Sequence, residues 1–241
     1  MMKRQKRLFN KFWLVSIILI TSLAMIITLI VHDVSKTPNA ADRQYIQAIY
    51  PFPIIDATKL SFDSQVVLIQ SFQKELHRQF IIGDPIAYYQ TREPKDLINN
   101  NEGRCYDFSR TIEKFLMLNS LEVRHVAIYQ VDTKKGRFFS FLRPQSASHS
   151  LTEVRTRKGW MIVDSNFEWI GLDTLGNPKS FCEICEETQA WKYPIVHGYE
   201  PFFTECPIYI YGLYSRHGCF YPPYSVVPDL NFRDLVYYNL F

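Results

Sequence analysis

The sequence predicts an α+β domain preceded by one apolar N-terminal helix, and three patterns carry that prediction. Phe12 to Val31 is a run of twenty residues without a charge. After the turn-forming cluster Asn99-Asn100-Asn101-Glu102-Gly103 comes a segment with helical periodicity. Beyond it lie short β-rich runs separated by turns, which suit an antiparallel sheet. With 241 residues, 47% of them apolar, the chain is long enough for one cored domain and an appendage.

The apolar run, at about 1.5 Å per residue, spans roughly 30 Å of hydrocarbon and reads as a transmembrane helix. It exceeds the apolar stretch of about 7–15 residues in a cleaved signal peptide, and Pro38-Asn39-Ala40 is a poor cleavage site, so an uncleaved signal anchor is expected. Lys3, Arg4, Lys6, Arg7 and Lys11 precede the run, whereas only Lys36 and Arg43 follow it closely. The asymmetry keeps the N-terminus cytoplasmic and puts the domain on the periplasmic or extracellular side. The same five cations explain the formal charge of +3. The remaining chain sums to about −2 and has no basic, aromatic-interleaved run to track phosphates, which excludes nucleic acid as a partner.

The expected organisation is a basic tail over 1–11, a transmembrane helix over 12–31, a linker over 32–45 and a domain over 46–241. Val66, Val67, Ile69, Phe72 and Leu76 predict a helix with Gln70, Gln73 and Lys74 on its polar side, ending near Gly83-Asp84-Pro85. Phe108, Ile112, Phe115 and Leu116 mark one face of a helix of about four turns, with Cys105 in its first turn. Strands are predicted over Leu121 to Val131 and Arg137 to Leu142, with Lys134-Lys135-Gly136 as the turn between them.

Ser148 to Val154 and Trp160 to Ser165 form a further hairpin. With Thr156-Arg157-Lys158-Gly159 as its loop, Arg155 faces Trp160, Leu151 faces Asp164 and His149 faces Asn166. His149 and Asp164 are then diagonal neighbours on one sheet face, within reach of a hydrogen bond.

A Cys at a helix start meets unpaired backbone N–H groups and the positive end of the dipole, both of which favour its thiolate. A nearby His can hold thiolate and imidazolium as a pair and later protonate a leaving amine, while a carboxylate fixes the ring. Those roles fall to Cys105, His149 and Asp164. The competing readings are structural: Cys105 as small core packing, His149 as a strand hydrogen bonder, and Asp164 capping a turn with Ser165 and Asn166.

Gly103-Arg104-Cys105-Tyr106-Asp107-Phe108-Ser109, the helix, Leu121-Glu122-Val123-Arg124, His149 to Val154, and Gly159-Trp160-Met161-Ile162-Val163-Asp164 together resemble the core of the transglutaminase-like superfamily. The resemblance covers about residues 94 to 168 and implies a papain-like fold, with the Cys helix packed on an antiparallel sheet. It further implies thioester-mediated acyl transfer on a peptide or protein amide, either hydrolysis or transfer to an amine. No cofactor and no catalytic metal are expected. Leu151 stands where relatives often have an aromatic residue and Ser165 where they often have Pro, so the substrate class stays open. The resemblance does not assign a second oxyanion donor among Tyr88, Tyr89 and Gln90.

Cys182, Cys185, Cys206 and Cys219, in an aromatic C-terminal extension over 180–241, suit two disulfides in an outward-facing domain. A zinc site adding His197 or His217 and unpaired thiols are the alternatives. The rings of Tyr209 to Tyr211, Tyr221 to Tyr224 and Tyr237-Tyr238 are expected to pack on the domain. The rival function is a non-catalytic binding or assembly module of the cell envelope that uses those rings.

Overall fold

The structure, a computed structural model, describes residues 2–83, 92–130, 147–186, 190–204, 206–214 and 229–240, with side chains at 2–12, 28, 29, 31, 185, 186 and 204 left aside. The chain divides into two units, 1–33 and 34–241.

The first unit is the helix α1 (Met2–His32). Its described apolar side chains, among them Leu14, Ile18, Leu19, Leu23 and Ile30, are exposed. The span expected over 12–31 lies within α1, but four of its side chains are not described. Among the described residues no helix is long and apolar enough to cross a membrane.

In the second unit, α2 (Ala40–Ile49), α3 (Phe62–Gln79), α4 (Pro94–Asn100) and α5 (Cys105–Leu118) precede most of the sheet. The short strands β1 (Ile81–Ile82) and β2 (Glu102–Gly103) pair in parallel beside them. The main sheet is antiparallel and contains β3 (Val123–Tyr129), β4 (Ser148–Thr156), β5 (Gly159–Val163) and β6 (Ile208–Tyr211) in the order β5-β4-β3-β6. The expectation of an α+β domain with an antiparallel sheet is met; the strand and turn expected over 134–142 lie outside the described residues.

Alternation along β4 gives the sheet two buried faces. Val154 joins Val123, Met161 and Val163 in a core with Phe72 and Leu76 of α3 and Phe108, Ile112 and Phe115 of α5. The opposite face carries Leu151, Val126, Ile128 and Ile162. It is covered by Trp169 and by the helices α6 (Phe181–Glu186) and α7 (Glu200–Thr204), through Phe181, Ile184, Phe202 and Phe203. The described part of the C-terminal third is therefore a layer of the fold rather than an extension, and it supplies the fourth strand. A two-residue pair, β7 (Leu213–Tyr214) with β8 (Asp229–Leu230), and α8 (Phe232–Leu240) complete the described elements.

Two sequence expectations need correction. The linker expected over 32–45 is folded from Val34 onward. Val34 N donates to Leu230 O, Asn231 Nδ2 donates to Val34 O, and Arg110 and Lys114 reach the carbonyls of Ser35 and Thr37. Asn39 and Asp42 then exchange capping bonds that start α2. Apolar periodicity could not register this segment, because polar side chains and backbone bonds hold it. The second correction concerns Gln73, expected on the polar side of α3; it is fully buried, because the chain after β5 packs against that side of the helix.

Candidate active site

The hairpin register is as the sequence predicts: Arg155 faces Trp160, Val154 faces Met161 and Thr152 faces Val163. Thr156 and Gly159 also pair, so the turn is the two residues Arg157-Lys158 rather than four. Gly159, at φ 134°, supplies the backbone conformation this tight connection requires. Past Val163 the chain leaves the strand, and Asp164 N donates to Trp169 O. His149 Nε2 and Asp164 Oδ2 lie 3.1 Å apart, both buried.

Asp164 serves two purposes. Its Oδ1 accepts from the N–H groups of Asn166 and Phe167 at 2.7 and 3.2 Å, while Oδ2 meets the imidazole. The turn-capping reading and the His-orienting reading hold together, one for each oxygen. Ser165 ties the turn to the sheet by donating its hydroxyl to Ser150 O at 2.5 Å.

Cys105 is the first residue of α5, and its N–H belongs to the first turn, which has no carbonyl four residues back within the helix. The helix start is fixed from three directions. Asp107 Oδ2 accepts from Arg104 N at 2.8 Å, and Arg92 Nη1 lies 3.0 and 3.2 Å from the two Asp107 oxygens. At Gly103, an added Cβ would come within 2.8 Å of Leu97 Cδ1 and 2.9 Å of Asp107 Cβ, so only glycine lets the chain enter the helix here. The Arg92 charge offsets the Asp107 carboxylate and leaves the field of the helix N-terminus available to the thiol.

Cys105, His149, Ile82, Gly83, Asn166 and Tyr199 line one cleft of about 360 Å³. The Cys105 side chain comes close enough to His149 to act on the charge of the ring, as Asp164 does. With Nε2 on the carboxylate, Nδ1 is the ring nitrogen left for the sulfur. Burial favours the neutral imidazole, but the adjacent Asp164 charge and hydrogen bond, with Cys105 adding to them, prevail and push its pKa up to about 10. At neutral pH the ring is an imidazolium able to partner a thiolate. The structure thus brings all three sequence-predicted residues together.

Sequence reasoning missed several neighbours. Tyr199 packs edge-on against His149 at 5.3 Å, and its hydroxyl accepts from Asn166 Nδ2 at 3.2 Å. Gln73 Nε2 donates to the carbonyls of Asp164, Phe167 and Trp169. No local motif marks these residues, since each reaches the site from a separate element. His125, by contrast, is structural. It is buried between the hydroxyls of Ser109 and Ser150 and stacks on Tyr214. Burial first, then Arg110 and Lys36, push its pKa down to about 3.

Among the remaining cysteines, Cys206 is disulfide-bonded, whereas Cys182 is an exposed thiol that meets the Tyr209 side chain. Two disulfides made from Cys182, Cys185, Cys206 and Cys219 are therefore excluded at Cys182. The side chains of Cys185 and Cys219 lie outside the described residues, as do Tyr88, Tyr89, Gln90, His217 and Tyr221 to Tyr224. Among the described residues no cluster of three His, Cys, Asp or Glu side chains is placed to hold a metal ion.

No protein-family model matches the sequence, and no curated protein matches it. Among solved structures, one called "a Putative Cysteine Protease" from Cytophaga hutchinsonii is similar at 18% identity with a TM-score of 0.36, over 60% of this chain and 44% of that one. This chain thus spans under half the length of that protein.

Proposed function

We propose that this chain is a cysteine hydrolase or acyltransferase of transglutaminase-like type, acting on a peptide or protein amide through a thioester. The observation that carries the reading is His149, buried between Asp164 at 3.1 Å and the Cys105 side chain, in a cleft where the sulfur starts a helix.

In the first half-reaction the Cys105 thiolate attacks the amide carbonyl carbon. The oxygen takes up negative charge beside the N–H of Cys105. As the tetrahedral centre collapses, the C–N bond breaks and the His149 imidazolium gives its proton to the departing amine. In the second half, neutral His149 takes a proton from water or an acceptor amine. That nucleophile attacks the thioester, the C–S bond breaks and the thiolate is restored. Asp164 holds the ring in the orientation that serves both halves.

The reading includes a membrane anchor at residues 12–31 and a domain on the periplasmic or extracellular side. It is supported by the uncharged run of twenty residues inside the 31-residue helix α1 and by the five cations ahead of it.

The test is labelling of the full-length chain with a thiol-directed electrophile, followed by mass spectrometry of the modified peptide. Modification at Cys105 ahead of the more exposed Cys182, lost in His149→Ala, is expected. Preferential labelling of Cys182 would contradict the assignment.

A further inference from the structure

We propose that Gln73, one element removed from the cleft, is a positioning residue that shapes the loop after β5 and thereby aims the Asp164 carboxylate at His149. The proposal deepens the catalytic reading above and rests on it.

The geometry is convergent. The carbonyl oxygens of Asp164, Phe167 and Trp169 lie 2.8, 3.2 and 3.1 Å from one nitrogen, Gln73 Nε2. A chain segment whose carbonyls point inward leaves oxygen lone pairs without water, and a buried donor must serve them. A primary amide brings two N–H groups on a planar head, and Gln73 reaches the three oxygens by sharing them. Because Gln73 is fully buried on α3, the donor is fixed by the helix rather than by the loop it organises.

A second residue works from the same face of α3. His77, four residues on, stacks on Phe108 at 5.2 Å and lies close enough to Asp164 and the Phe167 backbone to feel them electrostatically. Burial lowers its pKa, which favours the neutral ring over a cation competing for the carboxylate. From the loop side, Asp164 Oδ1 accepts from the N–H groups of Asn166 and Phe167. Amide N–H groups inside the loop and the Gln73 amide outside it leave Oδ2 directed at His149 Nε2. Removing the Gln73 donor strands the carbonyls of Asp164 and Phe167, whereas Trp169 O keeps the N–H of Asp164, and the loop has to turn those two toward water. Asp164 heads that loop and would turn with it.

The experiment measures the rate of Cys105 alkylation by iodoacetamide against pH in the full-length chain, resolved by mass spectrometry of the Cys105 peptide. Wild type, Gln73→Leu and Gln73→Asn are compared, with Asp164→Asn as the reference for a lost carboxylate. Leucine keeps the bulk without the donor; asparagine keeps the amide but withdraws it by one methylene. In wild type the midpoint should lie below about 8.5, the value of an ordinary thiol. Both Gln73 variants should move it upward, toward the Asp164→Asn midpoint, with asparagine moving it less.

Loss of packing alone would lower the melting temperature without moving the midpoint of the folded protein. A folded Gln73 variant that alkylates with the wild-type midpoint overturns the proposal, and Gln73→Asn keeps the test open should Gln73→Leu not fold. If wild type itself titrates as an ordinary thiol, the failure lies with the catalytic reading instead.

Discussion

His149 carries two opposing influences, burial against its charge and Asp164 in favour of it, and the carboxylate prevails. Asp164→Asn should therefore lower the His149 pKa from about 10. It should also reduce the proposed acyl-transfer activity by about 10²–10⁴-fold, because an unoriented, less basic imidazole makes a poor acid and base. Ring-proton NMR titration of the two proteins checks the first outcome and turnover of an amide substrate the second; an unchanged titration would remove Asp164 from its role. The approach of His149 to Asp164 was legible in the sequence because strand alternation fixes which side chains share a face. Counting from Arg155 and Trp160 was enough to bring His149 toward Asp164. Gln73 was not legible, since its Gln residue type and its place on the polar side of α3 both predict solvent exposure. Only the packing of the loop over 164–169 reverses that.

At the scale of elements, the start of α5 depends on a buried ion pair. Arg92 and Asp107 are both buried, and the carboxylate also caps the backbone of Arg104. Arg92→Met leaves the Asp107 charge buried without this partner, which should destabilise the domain by about 3–5 kcal/mol in denaturant unfolding. In the protein that remains folded, Cys105 should alkylate with a higher midpoint, because an uncompensated carboxylate two residues away opposes its thiolate. Unchanged stability would mean that the pair contributes nothing to the helix start. The Cys105 helix was readable from Phe108, Ile112, Phe115 and Leu116, all buried against the sheet and α3. The attachment of residues 34–37 was not, because long cationic side chains and carbonyls make it. Arg110 Nη2 reaches Ser35 O at 2.6 Å, and Lys36 reaches Val123 O at 2.9 Å and Asp234 at 2.6 Å.

Across the folded unit, two buried histidines tilt stability with pH in opposite directions. His149 has its folded pKa raised to about 10 from an ordinary value near 6.5. Its contribution is fully present below that ordinary value and is lost as pH rises through the folded one. His125 has its folded pKa lowered to about 3, so it favours the folded state above its ordinary value and ceases to as pH falls toward 3. The melting temperature of the folded unit, followed from pH 4 to about 10, should peak near 6.5 from these two groups. His149→Gln should flatten the alkaline limb alone. An alkaline limb that is unchanged in this variant would show that His149 is not charged in the folded protein. The layered α+β fold that holds both histidines followed from helix and strand periodicity. The second covering layer did not, because its rings sit in short helices and turns that lack a period.

The most direct test of the Cys105, His149 and Asp164 constellation is the pH profile of Cys105 alkylation in the full-length protein, compared between wild type and His149→Ala. A thiolate paired with an imidazolium should give wild type reactivity that persists below neutral pH, and His149→Ala should return the midpoint to about 8.5. Two superimposed profiles, both rising near that value, would contradict it.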